Sequence, residues 1–549
     1  MKAAKLQERP SVRLLKLAMD AEDHQRHDEA EMLYRRVIKL DRDNFAALLN
    51  LSNIYIANRR FDEAEIHLTH LLKITKGEQK QVLNSLATVY QRQEKYHQAE
   101  ALLNKALALD PHYTFALNNM SACQQLMGHT EQALQFAFQA ISSNIKSAHG
   151  FNNLGSAYAH LAQFAEATIA FQTAIDLDPN FIEPVINLGS MLAHNKQHVE
   201  AIAVYQTALQ KIGHHLGDYE GLIRFFMSYS QLAVGQIAEG WKNFEHGFNP
   251  LNTKGNARRP KRQFTVPQWT GQPLDDKTVL IWREQGLGDE ILFMSCLNDL
   301  VPDLSRVIIE CDPRMVELFK RSFPAALVRP AAYQPNLNAL YADFDYHLPM
   351  GSMMKFNRNA LPDFARSNPF LRPDPDKQAY HQERVREMTG DRLAIGICWR
   401  SGLIDPLRKI HYAELDEFAP LFANKNLAFV NLQYDDCEAE LKAAEARYGI
   451  QFIRPTIDLK NDLDDLAALI RGLDCVVTAG TAVSMMSGAV GTQTIEFGLS
   501  GKWTKLGTDH FPWFPNLEII DGRREDYGAI LTAIADYFAN LPAPANAIP

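Results

Sequence analysis

Residues 95–111 read KYHQAEALLNKALALDP, and residues 163–179 read QFAEATIAFQTAIDLDP. Each holds an alanine (Ala99, Ala167), an apolar residue four positions on (Leu103, Phe171), a small one seven positions on (Ala106, Ala174) and a closing Asp-Pro. The same alanine recurs at Ala30, Ala64, Ala133 and Ala201, so the six copies are spaced by 34, 35, 34, 34 and 34 residues. Four residues after these stand Tyr34, Leu68, Ala137 and Tyr205; seven after stand Val37, Leu71, Ala140 and Ala208. Positions i, i+4 and i+7 share one face of an α-helix, and small residues there let a second helix come close. Proline after Asp110 and Asp178 stops a helix and punctuates the units.

This period, residue pattern and punctuation resemble the tetratricopeptide repeat. Six units cover residues 12–215 and a degenerate seventh helix pair covers 216–249, so residues 1–249 are expected to be all helical. The resemblance implies a right-handed superhelix with a concave groove. Fourteen residues before the marker alanines lie Asn50, Ser85, Asn119, Asn153 and Asn187. Two readings of this ladder stand. The amides can hold the backbone of an extended peptide, which makes Asn50, Asn119, Asn153 and Asn187 candidate acceptor-binding residues. Alternatively, Asn before Leu-Gly is the usual composition of the repeat, whatever it binds.

The chain has 549 residues, 46% hydrophobic and 22% charged, with a net charge of −9. That is ordinary globular composition, enough for several domains. The acidic balance argues against a nucleic-acid partner. The six cysteines form no CxxC pair, which predicts buried thiols rather than zinc sites or disulfides. No secretory segment is read at the N-terminus, and the uncharged stretch 475–495 is too polar to span a bilayer. A cytoplasmic protein with no transmembrane segment is expected.

Residues 250–275 change character, with Pro250, Gly255, Pro260, Pro267, Gly271 and Pro273 breaking helices. The basic run Arg258, Arg259, Lys261 and Arg262 is read as part of a solvated linker, the alternative being contact with an anionic donor or acceptor. Beyond it, short apolar runs at 278–282, 306–310, 344–348, 393–399, 427–432, 475–478 and 493–497 alternate with helical stretches. That alternation predicts parallel sheets covered by helices, in two units (276–375 and 376–549) with a hinge at Asp374-Pro375-Asp376.

Parallel sheets bind ligands beyond the carboxyl ends of their strands. Three loops there carry chemistry. In the first, Glu284, Gly286, Gly288 and Asp289 stand between a strand and a helix, where glycines allow close approach and helix N–H groups attract anions. The second holds Arg400 and Ser401, then Arg408 and Lys409, cations suited to phosphate or carboxylate. The third, Thr478, Ala479, Gly480, Thr481, Ala482, Val483 and Ser484, suits a phosphate cradle. Each loop also reads as a plain structural turn; three at equivalent strand ends point to a site.

The segments PQWTGQPL (267), LIWREQGLGDEILF (280), IGICWRSG (395), FVNLQ (429), DLAALIRGLDCVVTAGTAVSMMSGAVG (465) and PWFP (512) resemble the glycosyltransferase domain that follows tetratricopeptide repeats in many bacterial proteins. That domain is related to the heptosyltransferase-like branch of the GT-B fold, which has two Rossmann-like lobes. The plan is similar to repeat-containing flagellin glycosyltransferases and to protein O-GlcNAc transferases. The resemblance implies an inverting, metal-independent transfer of a sugar from a nucleotide donor to a protein hydroxyl, with the repeats recruiting the acceptor, flagellin by analogy. It implies Asp289 as general base, with Glu284 the runner-up, and Gly286, Gly288, Arg400, Ser401, Arg408, Gln433, Thr478, Gly480, Thr481, Ala482 and Ser484 around the donor. No cofactor beyond the nucleotide-sugar is implied, and no metal; Asp343-Phe344-Asp345 is read as structural. Asp289 also has a plain reading, as a carboxylate at the positive end of a helix.

Two positions depart from the family. Relatives commonly place Asp where Gly480 stands and His where Met485 stands. Loss of the acid suits a donor sugar that is itself negative, such as a CMP-activated nonulosonic acid; loss of activity is the other reading. Rival functions are transfer to a lipid or polysaccharide, or a degenerate repeat scaffold. Trp503, His510 and Trp513 are read either as donor-cleft or as core aromatics.

Overall fold

The computed structural model describes residues 9–24, 26–212, 217–252, 257–331, 343–365, 367–402 and 411–540. The chain divides into two compact units, Met1–Met191 and Leu192–Pro549.

The first unit is helical. Its elements are α1 (Pro10–Asp23), α2 (His27–Leu40), α3 (Phe45–Ala57), α4 (Phe61–Ile74), α5 (Lys80–Arg92), α6 (Tyr96–Leu109), α7 (Thr114–Leu126), α8 (Thr130–Ser143), α9 (Ala148–His160), α10 (Phe164–Leu177) and the start of α11 (Ile182–His194). Helices pack in consecutive pairs, and the first helices of successive pairs also pack on one another. The marker alanines Ala30, Ala64, Ala99, Ala133 and Ala167 are all buried on the second helices, as are the residues four and seven positions on. A backbone with positive φ turns α3 into α4, α5 into α6, α7 into α8 and α9 into α10, at Arg59, Glu94, Gly128 and Ala162, with the same period. Asp110 and Asp178 close α6 and α10, and their side chains accept from His112 N and Asn180 N at 3.0 Å.

The second unit opens with α12 (His198–Ile212), α13 (Asp218–Ala233) and α14 (Ile237–Phe244). Repeats are expected from the sequence up to residue 249, but packing divides the chain earlier. Phe225, Leu232, Ile237, Trp241 and Phe244 of α13 and α14 are buried in one core with Val279 and Ile281 of the first sheet.

Two all-parallel sheets follow. The first is formed by β1 (Val279–Trp282), β2 (Val307–Cys311), β3 (Leu327–Pro330) and β4 (Tyr346–Pro349) in the order β3-β2-β1-β4. The second is formed by β5 (Leu393–Cys398), β6 (Leu427–Asn431), β7 (Phe452–Ile453), β8 (Cys475–Ala479), β9 (Thr494–Leu499) and β10 (Leu517–Gly522) in the order β10-β9-β8-β5-β6-β7. The seven strands read from apolar runs are present within a residue or two, and β1, β2, β5, β6 and β8 are buried on both faces. The edge strands β3 and β10 and the two-residue β7 are the additions; β3 and β10 are only partly buried, which leaves no apolar run to read.

Asp374 opens the segment expected as a hinge. It lies between the sheets but caps the helix Pro375–Thr389, accepting from Asp376 N and Lys377 N, with proline in the first turn. All six cysteines are free and buried. No helix among the described residues is long and apolar enough to cross a membrane.

Candidate functional site

Strand order reverses between β1 and β4 in the first sheet and between β5 and β8 in the second. At such switch points adjacent loops leave in opposite directions and open a crevice. The loops after β1, β5 and β8 are the three singled out in the sequence.

The first loop ends in α15 (Leu287–Met294), capped by Gly286. Gln285 takes a left-handed backbone (φ 58°), which makes the turn sharp. Asp289 stands in the first turn, and its Oδ2 accepts from Gly286 N at 3.2 Å. The protein packed around the half-buried Asp289 pushes its carboxyl up to about 6, with the nearby Glu284 adding to the rise and the Gly286 bond opposing it. A carboxyl so tuned exchanges a proton near neutral pH, which suits a general base.

Tyr229 of α13 belongs to the same surroundings, a residue that sequence reasoning missed. Its hydroxyl is bonded to the Gln285 side chain, and burial followed by the Asp289 charge holds its ionisation well above the usual phenol range. Its ring makes edge contacts with Phe225, Phe244 and Trp503 at 5.3–6.0 Å between centroids. No motif marks Tyr229, because it lies on a helix of the degenerate repeat pair.

Glu284 is corrected from runner-up base to structural anchor. It is 1% exposed. Both carboxylate oxygens are engaged by the guanidinium of Arg258, and Oε1 also accepts from Gly351 N at 2.9 Å. Arg258 further bonds Glu245 at 3.0 Å and Ser352 at 2.8 Å. Arg262 pairs with Glu310. The solvated-linker reading therefore fails for Arg258 and Arg262: the first is buried, the second partly buried, and both bind the connecting segment to the first sheet.

The third loop leads into the helix Ala482–Val490, capped by Thr481, whose Oγ1 accepts from Val483 N at 3.2 Å. The first and third loops meet: a Cβ on Gly288 would lie 3.6 Å from Met485 Cγ and 3.7 Å from Ala482 Cα. The second and third are also neighbours, with Cys398 Sγ 3.9 Å from Thr481 Oγ1. Thr478 and Ser484 are buried and spend their hydroxyls on Ala479 O and Thr481 O, so they shape the turn. Gly480 leaves space that the Lys502 ammonium fills.

Arg400 is not a free cation. It pairs with Asp435 at 3.0 Å and with Glu440. Gln433 is 2% exposed. Its side-chain oxygen accepts from Trp399 N and Arg400 N, and its amide donates to Arg400 O and Asp435. Gln433 therefore sets the path of the second loop rather than reaching out of it. The Tyr434 hydroxyl donates to Ser401 Oγ at 3.3 Å. Arg408 and Lys409 lie outside the described residues.

Asp343 pairs with Arg329, and Asp345 accepts from Thr278 N and pairs with Lys277, so both aspartates are in structural use. Among the described residues no group of three or more His, Cys, Asp or Glu is placed to hold a metal. Trp513 is a core residue, Trp503 packs at its edge, and His510 is exposed beside Asp509.

In the first unit, the Asn ladder links successive helix pairs. Asn119 donates to Asn84 Oδ1 at 2.9 Å, Asn153 to Asn118 O at 2.8 Å and Asn187 to Asn152 Oδ1 at 3.0 Å. Ser85 donates to Asn53 at 3.1 Å, and Asn50 to the Tyr34 hydroxyl at 2.9 Å. Each amide thus spends a donor inside the array, which favours the structural reading. Asn153→Ala is expected to cost about 1 kcal/mol of stability, read as a lower urea midpoint of the full chain.

Residues 43–112 and 148–181 match family models described as tetratricopeptide repeat. The N-terminal helices therefore include tetratricopeptide repeats. Protein FlbA of Caulobacter vibrioides is 29% identical, over 77% of this chain and 73% of its own length. Among solved structures, a thermophilic TPR protein of Thermus thermophilus is 19% identical with a TM-score of 0.30, covering 33% of this chain and 98% of its own. A tetratricopeptide repeat protein from Parabacteroides merdae is 16% identical with a TM-score of 0.35, covering 44% of this chain and 94% of its own.

Proposed function

We propose that the protein is a protein O-glycosyltransferase of the GT-B type. It moves a sugar from a nucleotide donor to a Ser or Thr hydroxyl, and its tetratricopeptide repeats recruit the protein acceptor. The observation that carries the reading is the meeting of two strand-to-helix turns, one from each parallel sheet, at Gly288 and Ala482. Asp289 stands beside that contact, at the third position of its helix.

In this mechanism Asp289 takes the proton of the acceptor hydroxyl as the oxygen attacks the anomeric carbon, and the nucleotide leaves with the bonding electron pair. The N–H groups at the start of Ala482–Val490 face the negative charge that builds on the leaving group. Flagellin is the acceptor and a CMP-activated nonulosonic acid the donor, on the resemblance to repeat-containing flagellin glycosyltransferases and on the missing acid at Gly480. A second reading, an inactive sugar-nucleotide domain on a repeat scaffold, is favoured by the neutralised Arg400.

Purified protein, flagellin and CMP-pseudaminic acid test the proposal together: a mass gain of one nonulosonic residue supports it, and unmodified flagellin counts against it. Because Asp289 must be ionised to act, kcat/KM for transfer should fall as pH drops below about 6. A rate flat from pH 5 to 8 would remove Asp289 from the base role.

A further inference from the structure

The middle of β9 and the segment after it hold a charged pair that none of the three loops accounts for. Glu496 is 2% exposed and lies opposite Thr478 in the sheet. Its Oε1 accepts from the Lys502 ammonium. Its Oε2 is buried and has no hydrogen-bond partner among the described residues. A buried carboxylate oxygen without a donor is costly, so the Glu496 charge depends on its one bond to Lys502.

Lys502 is the exposed member, with 22% of its side chain open to solvent. Its Nζ lies 2.8 Å from where a Cβ on Gly480 would stand, and 2.8 Å from where one on Gly498 would stand. Two glycines at the ends of adjacent strands thus leave the room that the ammonium occupies. Gly480 also immediately precedes Thr481, the cap of Ala482–Val490. The cation is therefore set beside the positive end of a helix, and the two together favour a further anion. Glu496 balances only one side of it.

We infer that Lys502, held by Glu496 between Gly480 and Gly498, binds the anionic group of the activated sugar, a phosphate or a carboxylate. The inference rests on the transferase reading above and names the residue that selects its donor. Lys502 has two donors left after its bond to Glu496, and an ammonium is a strong point-charge partner for either anion.

Calorimetric titration of the full chain with cytidine, CMP, CMP-N-acetylneuraminic acid, UDP-N-acetylglucosamine and GDP-mannose tests it. Lys502→Met should weaken the nucleotide that wild type binds by about tenfold or more, and Lys502→Arg should keep most of the affinity. Equal losses for CMP and CMP-N-acetylneuraminic acid identify phosphate as the partner; a loss for the sugar nucleotide alone identifies the carboxylate. The double variant Lys502→Met/Glu496→Gln removes the stranded buried charge, and it should keep the wild-type melting temperature while remaining weak in binding. Unchanged affinity in the folded double variant overturns the inference and leaves the transferase reading standing. Wild type binding none of the probes overturns both.

Discussion

Asp289→Asn is expected to slow sugar transfer by about 10²- to 10⁴-fold with the protein still folded. The substitution keeps the shape of the side chain, and its carboxamide oxygen can still accept from Gly286 N, the bond that caps α15. What it loses is a group able to take a proton. The carboxyl is raised to about 6 by burial, so the fold disfavours its charged form at neutral pH. Asparagine removes that charge, and the melting temperature should hold or rise, as it does where a functional site is kept at the expense of stability. Initial rates with saturating donor, set beside a thermal melt, check both halves. A variant with low activity and a lowered melting temperature would show that Asp289 serves the helix terminus instead.

The largest effect on stability is expected at Arg258→Met. Arg258 and Glu284 are both fully buried side chains, joined by two bonds, with Glu245 and Ser352 completing the set. Removing the arginine leaves the Glu284 charge with Gly351 N as its remaining bond. Breaking a buried pair on one side costs about 3–5 kcal/mol. The double variant Arg258→Met/Glu284→Gln strands no charge and should recover much of that loss. Denaturant unfolding of wild type, both single variants and the double variant gives the cycle. Equal destabilisation in the double variant and in Arg258→Met would mean that the arginine acts through packing on Phe244 and Phe248, whose rings lie 4.7 and 4.5 Å from its guanidinium carbon.

The repeats were legible because their signal is periodic. An alanine every 34 or 35 residues is a packing requirement, and every copy from Ala30 to Ala201 is buried. The central strands were legible for a related reason: burial on both faces leaves unbroken apolar runs. The polar groups were less legible, because a sequence shows the type of a side chain and not its partner. Arg258 looks like linker charge until Glu284 is found opposite it. Arg400 looks like a phosphate ligand until Asp435 and Glu440 are placed around it. The in-register asparagines were visible, but their bonds run to the preceding helix pair. Tyr229 and Lys502 carried no local signal, since they approach Gln285 and Gly480 from elements outside the three loops.

Intact-protein mass spectrometry of flagellin shows whether this chain places a sugar on it. It should be run on cells with the wild-type protein, with Asp289→Ala and without the gene. Flagellin from the wild type should carry a sugar mass that disappears in both of the others, with the lost mass giving the sugar class. A flagellin mass unchanged in the deletion strain would contradict that expectation.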